Sequence, residues 1–337
     1  MNLNIRFKKS MCLMLILALG MNVIGCGSSK SDKSSDQLEE ITIVLDWTPN
    51  TNHTGLYVAQ DLGYFKEVGL KVNIIQPPED GAAVLVASGQ AEFGIDFQDY
   101  MAPALIGEDA LPITAVAALI QHNTSGIISL KEKGITSPKG MEGQKYATWD
   151  LPIEKAMIEY LVNKDGGDYN KVELVPNATD VATALTTNVD CVWVYYAWDG
   201  IATKIKGLDT NYFAFKDFGE EFDYYNPVII SNNDYLKNHS DQAKKFLKAV
   251  EKGYQYAIEQ PEKAAGILCK AAPEVDKTLA LESQKWLANQ YQADAKHWGE
   301  FDAKRWDGFY QWLFKKDLIT EEIKPGTGFT NDFLSMD

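Results

Sequence analysis

Short apolar runs with strand character alternate with helix-like segments through the first half of the chain. Helices are predicted at residues 52–62 and 82–88, and strands at residues 41–46, 70–75, 93–96, 113–119, 145–148, 172–175 and 191–194. Such alternation predicts an α/β fold. Because the roughly 300 residues beyond position 40 exceed what one hydrophobic core usually supports, we expect two lobes. The last third is predicted to be helical, with helices at 241–259, 277–291 and 302–314.

Two segments follow the same plan, which supports a pair of similar lobes. Residues 83–97 and 181–195 each combine a small helix, a tight turn, an acidic residue and an apolar strand that ends at an aromatic residue. In the second segment we expect Asn188 to adopt the left-handed turn conformation that glycine usually fills. Helix–turn–strand units are common, so coincidence remains the alternative explanation.

The N-terminus has the features of a secretory signal. Arg6, Lys8 and Lys9 precede an apolar run at 11–24, which is shorter than the transmembrane requirement of about 20 residues. The run ends in Val-Ile-Gly-Cys, which is similar to the bacterial lipobox. An ordinary signal peptide followed by a buried cysteine is the alternative.

On the lipobox interpretation, residues 1–25 are a signal peptide and Cys26 is lipidated. Residues 26–40, rich in serine, lysine and aspartate, form a solvated tether. The folded body is then held by lipid on the extracytoplasmic face of the bacterial cytoplasmic membrane.

Charge and cysteine content exclude several classes of partner. The net charge of −15 argues against nucleic acid. Beyond the N-terminal region only Cys191 and Cys269 remain, and we expect both to be unpaired thiols, with a disulfide as the alternative. The sequence has four histidines and no metal-binding or catalytic motif, so we expect no metal, no cofactor and no enzymatic activity.

Aromatic residues, amides and carboxylates are concentrated where the predicted strands end. Ligands of open α/β sheets bind beyond these carboxyl ends, and aromatic faces interleaved with hydrogen-bonding groups suit a planar heterocycle, or a sugar. The candidate ligand-binding residues are Trp47, Asn50, Asn52, His53, Phe97, His122, Trp149, Tyr195, Trp198 and Asp199.

Several of these candidates also have a purely structural interpretation. Trp47 could be a core residue, Asn52 a helix N-cap, and Asp199 a cap of the helix that follows it. His53 and His122 have no neighbouring nucleophile, so a structural hydrogen-bonding role is favoured over proton transfer for both.

The strand-end motifs carry a family resemblance. Residues 46–59 (DWTPNTNHTGLYVA) with 63–65 (GYF) resemble the substrate-binding proteins of transporters for thiamine pyrimidine precursors, a family that shares its domain with the pyrimidine synthases of thiamine biosynthesis. Weaker matches follow in the same order at residues 120–126, 135–143, 198–201, 227–230 and 330–334.

The resemblance implies a type II periplasmic-binding fold, with lobe 1 at residues 41–130 plus 226–337 and lobe 2 at residues 131–225. It implies that Trp47, Asn50 and the Asn52–His53 turn line one wall of the cleft, with Trp149 and residues 195–199 on the other. Where the family typically has Trp-Glu-Gly-Ile, this chain has aspartate at position 199.

The implied function is capture of an aminopyrimidine, or of another heterocycle such as a riboflavin-like molecule, by a monomer that delivers it to an ABC permease and ATPase. A pyrimidine synthase is the enzymatic alternative, but the cysteine-rich cluster of those enzymes is absent here. A sensor or adhesin lipoprotein is the third possibility.

Overall fold

The computed structural model describes residues 38–79, 81–176 and 179–336, and this part of the chain forms two five-stranded sheets. In chain order the strands are β1 Glu39–Val44, β2 Leu70–Ile75, β3 Phe93–Asp96, β4 Ile113–Ala118, β5 Ser125–Leu130, β6 Lys145–Thr148, β7 Glu173–Pro176, β8 Cys191–Tyr195, β9 Thr210–Ala214 and β10 Val228–Asn232. The sheet orders are β2-β1-β3-β10-β4 and β7-β6-β8-β5-β9.

The two sheets have the same design. In each, the first three strands are parallel, and the fourth runs antiparallel to both of its neighbours. Strands β3 and β8 occupy equivalent third positions, and each follows a short helix, at Gly81–Ala87 or Val181–Thr187. The internal repeat therefore reflects equivalent units of two α/β lobes, and the predicted fold class is confirmed.

The turn within the second unit differs from our expectation. Gly89 has a φ of +72°, in the left-handed region, whereas Asn188 has φ −122° and ψ −26°. The prediction of a left-handed Asn188 is therefore wrong. After the second helix, the backbone amides of Asn188 and Val189 both donate to the Ala184 carbonyl, so the chain turns with ordinary backbone angles.

Helices cover both sheets and form most of the last third of the chain. They are α1 Thr54–Asp61, α2 Tyr64–Glu67, α3 Gly81–Ala87, α4 Gln98–Ala104, α5 Pro152–Lys164, α6 Val181–Thr187, α7 Ile201–Ile205, α8 Asn233–Asn238, α9 Ser240–Glu259, α10 Pro261–Ala271, α11 Lys277–Leu287 and α12 Ala303–Lys315. Apolar residues at helical spacing bury one face of α9, where Phe246 stacks on Phe93 of the first sheet with ring centroids 4.0 Å apart.

The chain crosses between the lobes twice, at residues 119–124 and 215–227. The two crossings are hydrogen-bonded to each other, since the Asn123 amide donates to Asp223 at 3.0 Å and the Leu119 amide to the Pro227 carbonyl at 3.1 Å. Strand β5, which the predicted boundaries include in lobe 1, pairs with β8 and β9 of the second sheet.

Cys191 and Cys269 are both free thiols, as predicted. No helix among the described residues is long and apolar enough to span a bilayer. The predicted signal peptide, lipidated Cys26 and nearly all of the tether lie outside the residues that the structure describes.

Candidate functional site

A cleft of about 900 Å³ lies between the lobes, where the parallel strands of both sheets end. Eight of the ten candidate residues line it: Trp47, Asn50, Asn52, Phe97, Trp149, Tyr195, Trp198 and Asp199. His53 and His122 do not line this cleft. Strands β1 and β6 are second, and β3 and β8 third, in the two sheet orders, so each lobe contributes residues at or beyond the carboxyl ends of equivalent strands.

The first wall is the loop after β1. Trp47 is 57% exposed, so the alternative interpretation of a core residue is wrong. Asn50, rather than Asn52, caps the helical turn Thr51–His53, because its side chain accepts from the Asn52 amide at 2.8 Å. The Asn50 side chain also donates to the Thr48 carbonyl at 3.0 Å, so much of its hydrogen-bonding capacity maintains the loop.

His53 supports this wall from behind. It is fully buried; its Nδ1 accepts from the Asn50 amide at 3.2 Å, and its Nε2 lies 2.6 Å from Asp46 Oδ1. Since Nδ1 accepts, Nε2 carries the proton and donates to Asp46. His53 therefore orients Asp46, which does line the cleft, and we assign it a structural role.

The carboxyl ends of β3 and β8 meet across the cleft. The ring of Phe97 stacks on that of Tyr195, with centroids 5.9 Å apart and planes inclined by 14°. The Tyr195 hydroxyl accepts from Asn226 Nδ2 at 3.1 Å, which ties this wall to the second crossing. Tyr196 instead packs between Tyr212 and Trp286, away from the cleft.

The second wall provides two tryptophans and a carboxylate. Trp149 is 44% exposed, and Trp198 lines the cleft while packing against the small cluster around Ala272. Asp199 lies in the wide turn Tyr196–Gly200 and makes no capping bond to α7, so the helix-cap interpretation is wrong. Burial raises the pKa of Asp199 to about 6, partly offset by a hydrogen bond from the Tyr195 backbone.

His122 lies at the crossings between the lobes. Its Nδ1 is 2.7 Å from Asp223 Oδ2, and its Nε2 is 2.7 Å from Asp294 Oδ1. The hydrogen bond to Asp223 is the main reason that the pKa of His122 is raised, with a further contribution from Asp294. His122 therefore links both crossings to the loop after α11, and the expectation that it binds ligand stays a prediction.

Other cleft residues were absent from the candidates. They are Asp46, Tyr100, Leu151, Thr179, Asp180, Val181, Ala182, Val192, Trp193, Ala197, Ala202, Thr203 and Lys206.

Lys206 is paired with Asp180 at 2.8 Å. The pKa of Asp180 is lowered to about 2, first by this hydrogen bond and then by one with Thr183. The alternation of β8 could have identified Trp193, which is two residues before Tyr195 on the same face of the strand.

The arrangement suits binding by stacking and edge recognition. The cleft lining includes seven aromatic side chains and three carboxylates, and none of its residues is a cysteine. Within the described part of the chain, no cluster of histidine, cysteine and acidic residues could hold a metal ion.

Comparison with known families identifies the chain. The model of the NMT1/THI5-like family matches residues 50–264. The chain belongs to this family. It is 27% identical over 325 residues to the formylaminopyrimidine-binding protein of Halalkalibacterium halodurans, covering 94% of this chain and 98% of that protein. It is also 25% identical to the 4-amino-5-hydroxymethyl-2-methylpyrimidine phosphate synthase of Legionella pneumophila, covering 87% and 92% of the two chains.

Solved structures agree with the fold. The alkanesulfonate-binding protein of Xanthomonas axonopodis matches with a TM-score of 0.64 at 8% identity, over 87% of this chain and 99% of its own. The aliphatic sulphonate-binding protein of Escherichia coli matches with a TM-score of 0.62 at 12% identity, over 85% and 95%. The family member therefore has the periplasmic-binding-protein fold.

Proposed function

We propose that this family member is an extracytoplasmic solute-binding protein that captures an aminopyrimidine precursor of thiamine and delivers it to an ABC importer. The observation that carries the proposal is the cleft between two equivalent lobes, lined by an exposed tryptophan from each. The full-length similarity to a formylaminopyrimidine-binding protein supports the class of ligand.

The cleft chemistry fits an aminopyrimidine. Trp47 and Trp149 offer faces for stacking, and Asp199 is an acceptor for the exocyclic amino group. A second, parallel bond to the ring nitrogen forms if one proton is shared, and a carboxyl whose pKa is about 6 is suited to supply it. Since aspartate is one methylene shorter than glutamate, the ring would sit deeper on this wall than in relatives with glutamate.

The remaining parts of the proposal concern delivery. Cys26 would carry the lipid anchor, residues 26–40 would act as the tether, and a monomer would dock on the permease. The sheet pairing supports lobe boundaries at the two crossings, so that lobe 2 begins near residue 125 rather than 131. Selection for another heterocycle by the same cleft is the nearest alternative within the transport role.

An enzyme is the second candidate, because the family includes pyrimidine synthases. The two described thiols do not support it: Cys191 is buried in the second sheet and Cys269 is on α10, outside the cleft. A synthase that draws on pyridoxal phosphate would release an aminopyrimidine, detectable by mass spectrometry, on incubation with that compound, and we expect no such release from this protein. Release of that product would overturn the binding-protein assignment.

The ligand can be tested directly. We expect a 4-amino-2-methylpyrimidine bearing a hydroxymethyl, aminomethyl or formylaminomethyl group at position 5 to bind the purified protein in calorimetric titration. The tightest of them should raise the melting temperature, since ligand at a hundred times Kd adds about 2.7 kcal/mol to the stability of the folded state. If none of the three binds, the proposed ligand class is wrong.

Trp47→Ala should weaken this binding about 10- to 100-fold, because it removes a stacking face. Phe314→Ala is the matched control, since Phe314 is also an exposed aromatic residue (39%) but lies outside the cleft. If the two variants bind the ligand with equal affinity, Trp47 does not contact it.

A further inference from the structure

Helix α11 (Lys277–Leu287) contacts both walls of the cleft from outside it. It belongs to lobe 1, where its Leu287 is buried in the hydrophobic core. The Oγ of Ser283 lies 2.6 Å from the Oγ1 of Thr51, in the helical turn Thr51–His53 of the first wall. All of α11 is described, and none of its residues lines the cleft. The helix can therefore influence a bound ligand only through the walls that it contacts.

The second wall meets α11 at the wide turn Tyr196–Gly200, which carries Asp199. The ring of Tyr196 lies between Tyr212 of lobe 2 and Trp286 of α11, with ring centroids 4.7 and 5.3 Å away. Aromatic pairs at such distances attract each other beyond the effect of the area that they bury. Tyr196 therefore joins the two lobes three residues before the carboxylate that we assign to the ligand.

The next two residues of this turn also pack on lobe 1. Ala197 is 3% exposed, in an apolar cluster whose other members come from lobe 1 and the first crossing. Trp198 packs against a smaller cluster of Ala272, Val275 and Ala280, at the junction of α10 and α11. Separation of the lobes would expose these apolar surfaces to water, at a cost in proportion to the area exposed. The contact therefore favours the arrangement in which the turn rests on α11.

We propose that α11 is a brace between the two walls, which holds the lobes together and positions Asp199 through the turn Tyr196–Gly200. Trp286 is then a positioning residue, which sets the affinity for the ligand without touching it. Lobes that are held together populate the binding-competent arrangement more often, and apparent affinity rises with that fraction. The brace concerns the geometry of the cleft and not the identity of its ligand, so only a measurement of affinity rests on the proposed function.

Two variants remove the aromatic pair and keep apolar side chains in its place: Trp286→Leu and Tyr196→Leu. Each should lower the affinity for 4-amino-5-hydroxymethyl-2-methylpyrimidine about 3- to 10-fold in calorimetric titration, the worth of one aromatic pair. The double variant should lose little more than either single variant, because both changes remove the same contact.

The shape of the protein provides a measurement that needs no ligand. In small-angle X-ray scattering without ligand, Trp286→Leu should have a larger radius of gyration than the unaltered protein, because its lobes separate more often. Tyr196→Leu should show the same increase, which keeps the test decisive if Trp286→Leu fails to fold.

Tyr235→Leu is the matched control. Tyr235 is half-buried like Trp286, and its ring packs edge-on against Phe93 with centroids 5.6 Å apart. Both residues of this pair lie in lobe 1, and neither lines the cleft. The change removes an aromatic pair within one lobe, so it should alter neither the affinity nor the radius of gyration.

Three results would count against these proposals. If the brace variants keep the affinity or the radius of gyration of the unaltered protein, α11 does not hold the walls and this inference is wrong, while the proposed function stands. If Tyr235→Leu has the same effects as Trp286→Leu, the effects come from lost stability and the inference is again wrong. If the pyrimidine does not bind the unaltered protein, the proposed ligand class fails, and the radius of gyration alone decides whether α11 is a brace.

Discussion

Replacing Gly253 with alanine should disturb the wall of the cleft through a contact between two helices. Gly253 lies within α9, where an added Cβ would overlap the backbone carbonyl oxygen of Gly55 in α1. The next residue, Tyr254, stacks on Trp298 with centroids 4.8 Å apart, and its hydroxyl donates to the carbonyl of Asn52, a cleft residue. Separation of the helices would therefore also displace the Thr51–His53 turn.

The magnitude follows from two opposing effects. Alanine within a helix is more favourable than glycine by about 0.8–1 kcal/mol. Overpacking of a filled site costs about 1–3 kcal/mol, and here the upper end applies because a backbone oxygen cannot rotate away as a side chain can. We expect Gly253→Ala to lower the free energy of unfolding by about 2 kcal/mol.

Urea unfolding of the purified protein measures this change. The matched control is Gly266→Ala in α10, where a Cβ has no atom within 4 Å, so the substitution should stabilise the protein by about 0.5–1 kcal/mol. Ligand affinity should fall for Gly253→Ala alone. If the two variants unfold at the same urea concentration, the added Cβ does not strain the contact between α1 and α9.

Three further predictions concern anchoring, recognition and the crossings. Cys26→Ala should release the protein from membranes with ligand binding unchanged; retention after a high-salt wash would contradict the lipid anchor. The affinity of the unaltered protein should fall as pH rises through about 6, since Asp199 then loses the proton shared with the ligand, and calorimetry should show no such fall for Asp199→Asn. Because the pKa of His122 is raised in the folded state, its ion pairs stabilise that state fully below about pH 6.5. This stabilisation is lost as pH rises through the folded-state pKa. Chemical unfolding at several pH values should show this fall in the free energy of unfolding for the unaltered protein and not for His122→Gln.

Local patterns were sufficient for many elements of the fold. Strands β2, β3 and β6 lie at the predicted residues 70–75, 93–96 and 145–148, because short apolar runs bounded by turn residues leave little choice of conformation. Helices α9 and α12 begin and end within one residue of prediction, since each buries a continuous apolar face.

Two strands that the sequence did not reveal are defined by distant partners. Strand β10 pairs with β3 and β4, more than a hundred residues earlier, and β5 pairs with β8 across its own lobe. Both strands are short and buried, and nothing in their local sequence specifies which sheet they join. Local sequence therefore does not decide which lobe contains β5, and the sheet pairing supports a boundary before it.

The two histidines also differ in whether their partners are near or distant in the sequence. His53 is paired with Asp46, seven residues away, whereas the partners of His122 are 101 and 172 residues away. Sequence context favoured structural roles for both, but it could not show that one lies behind the cleft wall and the other at the crossings.

The repeat of one unit in two lobes explains the walls of the cleft but not its selectivity. Trp47 and Trp149 follow the equivalent strands β1 and β6, and Phe97 and Tyr195 occupy equivalent ends of β3 and β8, so the repeated fold provides matched aromatic faces. Matched faces bind flat rings without distinguishing their substituents. Discrimination must therefore come from groups that differ between the lobes, and Asp199 on the second wall is the group that we propose to recognise the ring edge.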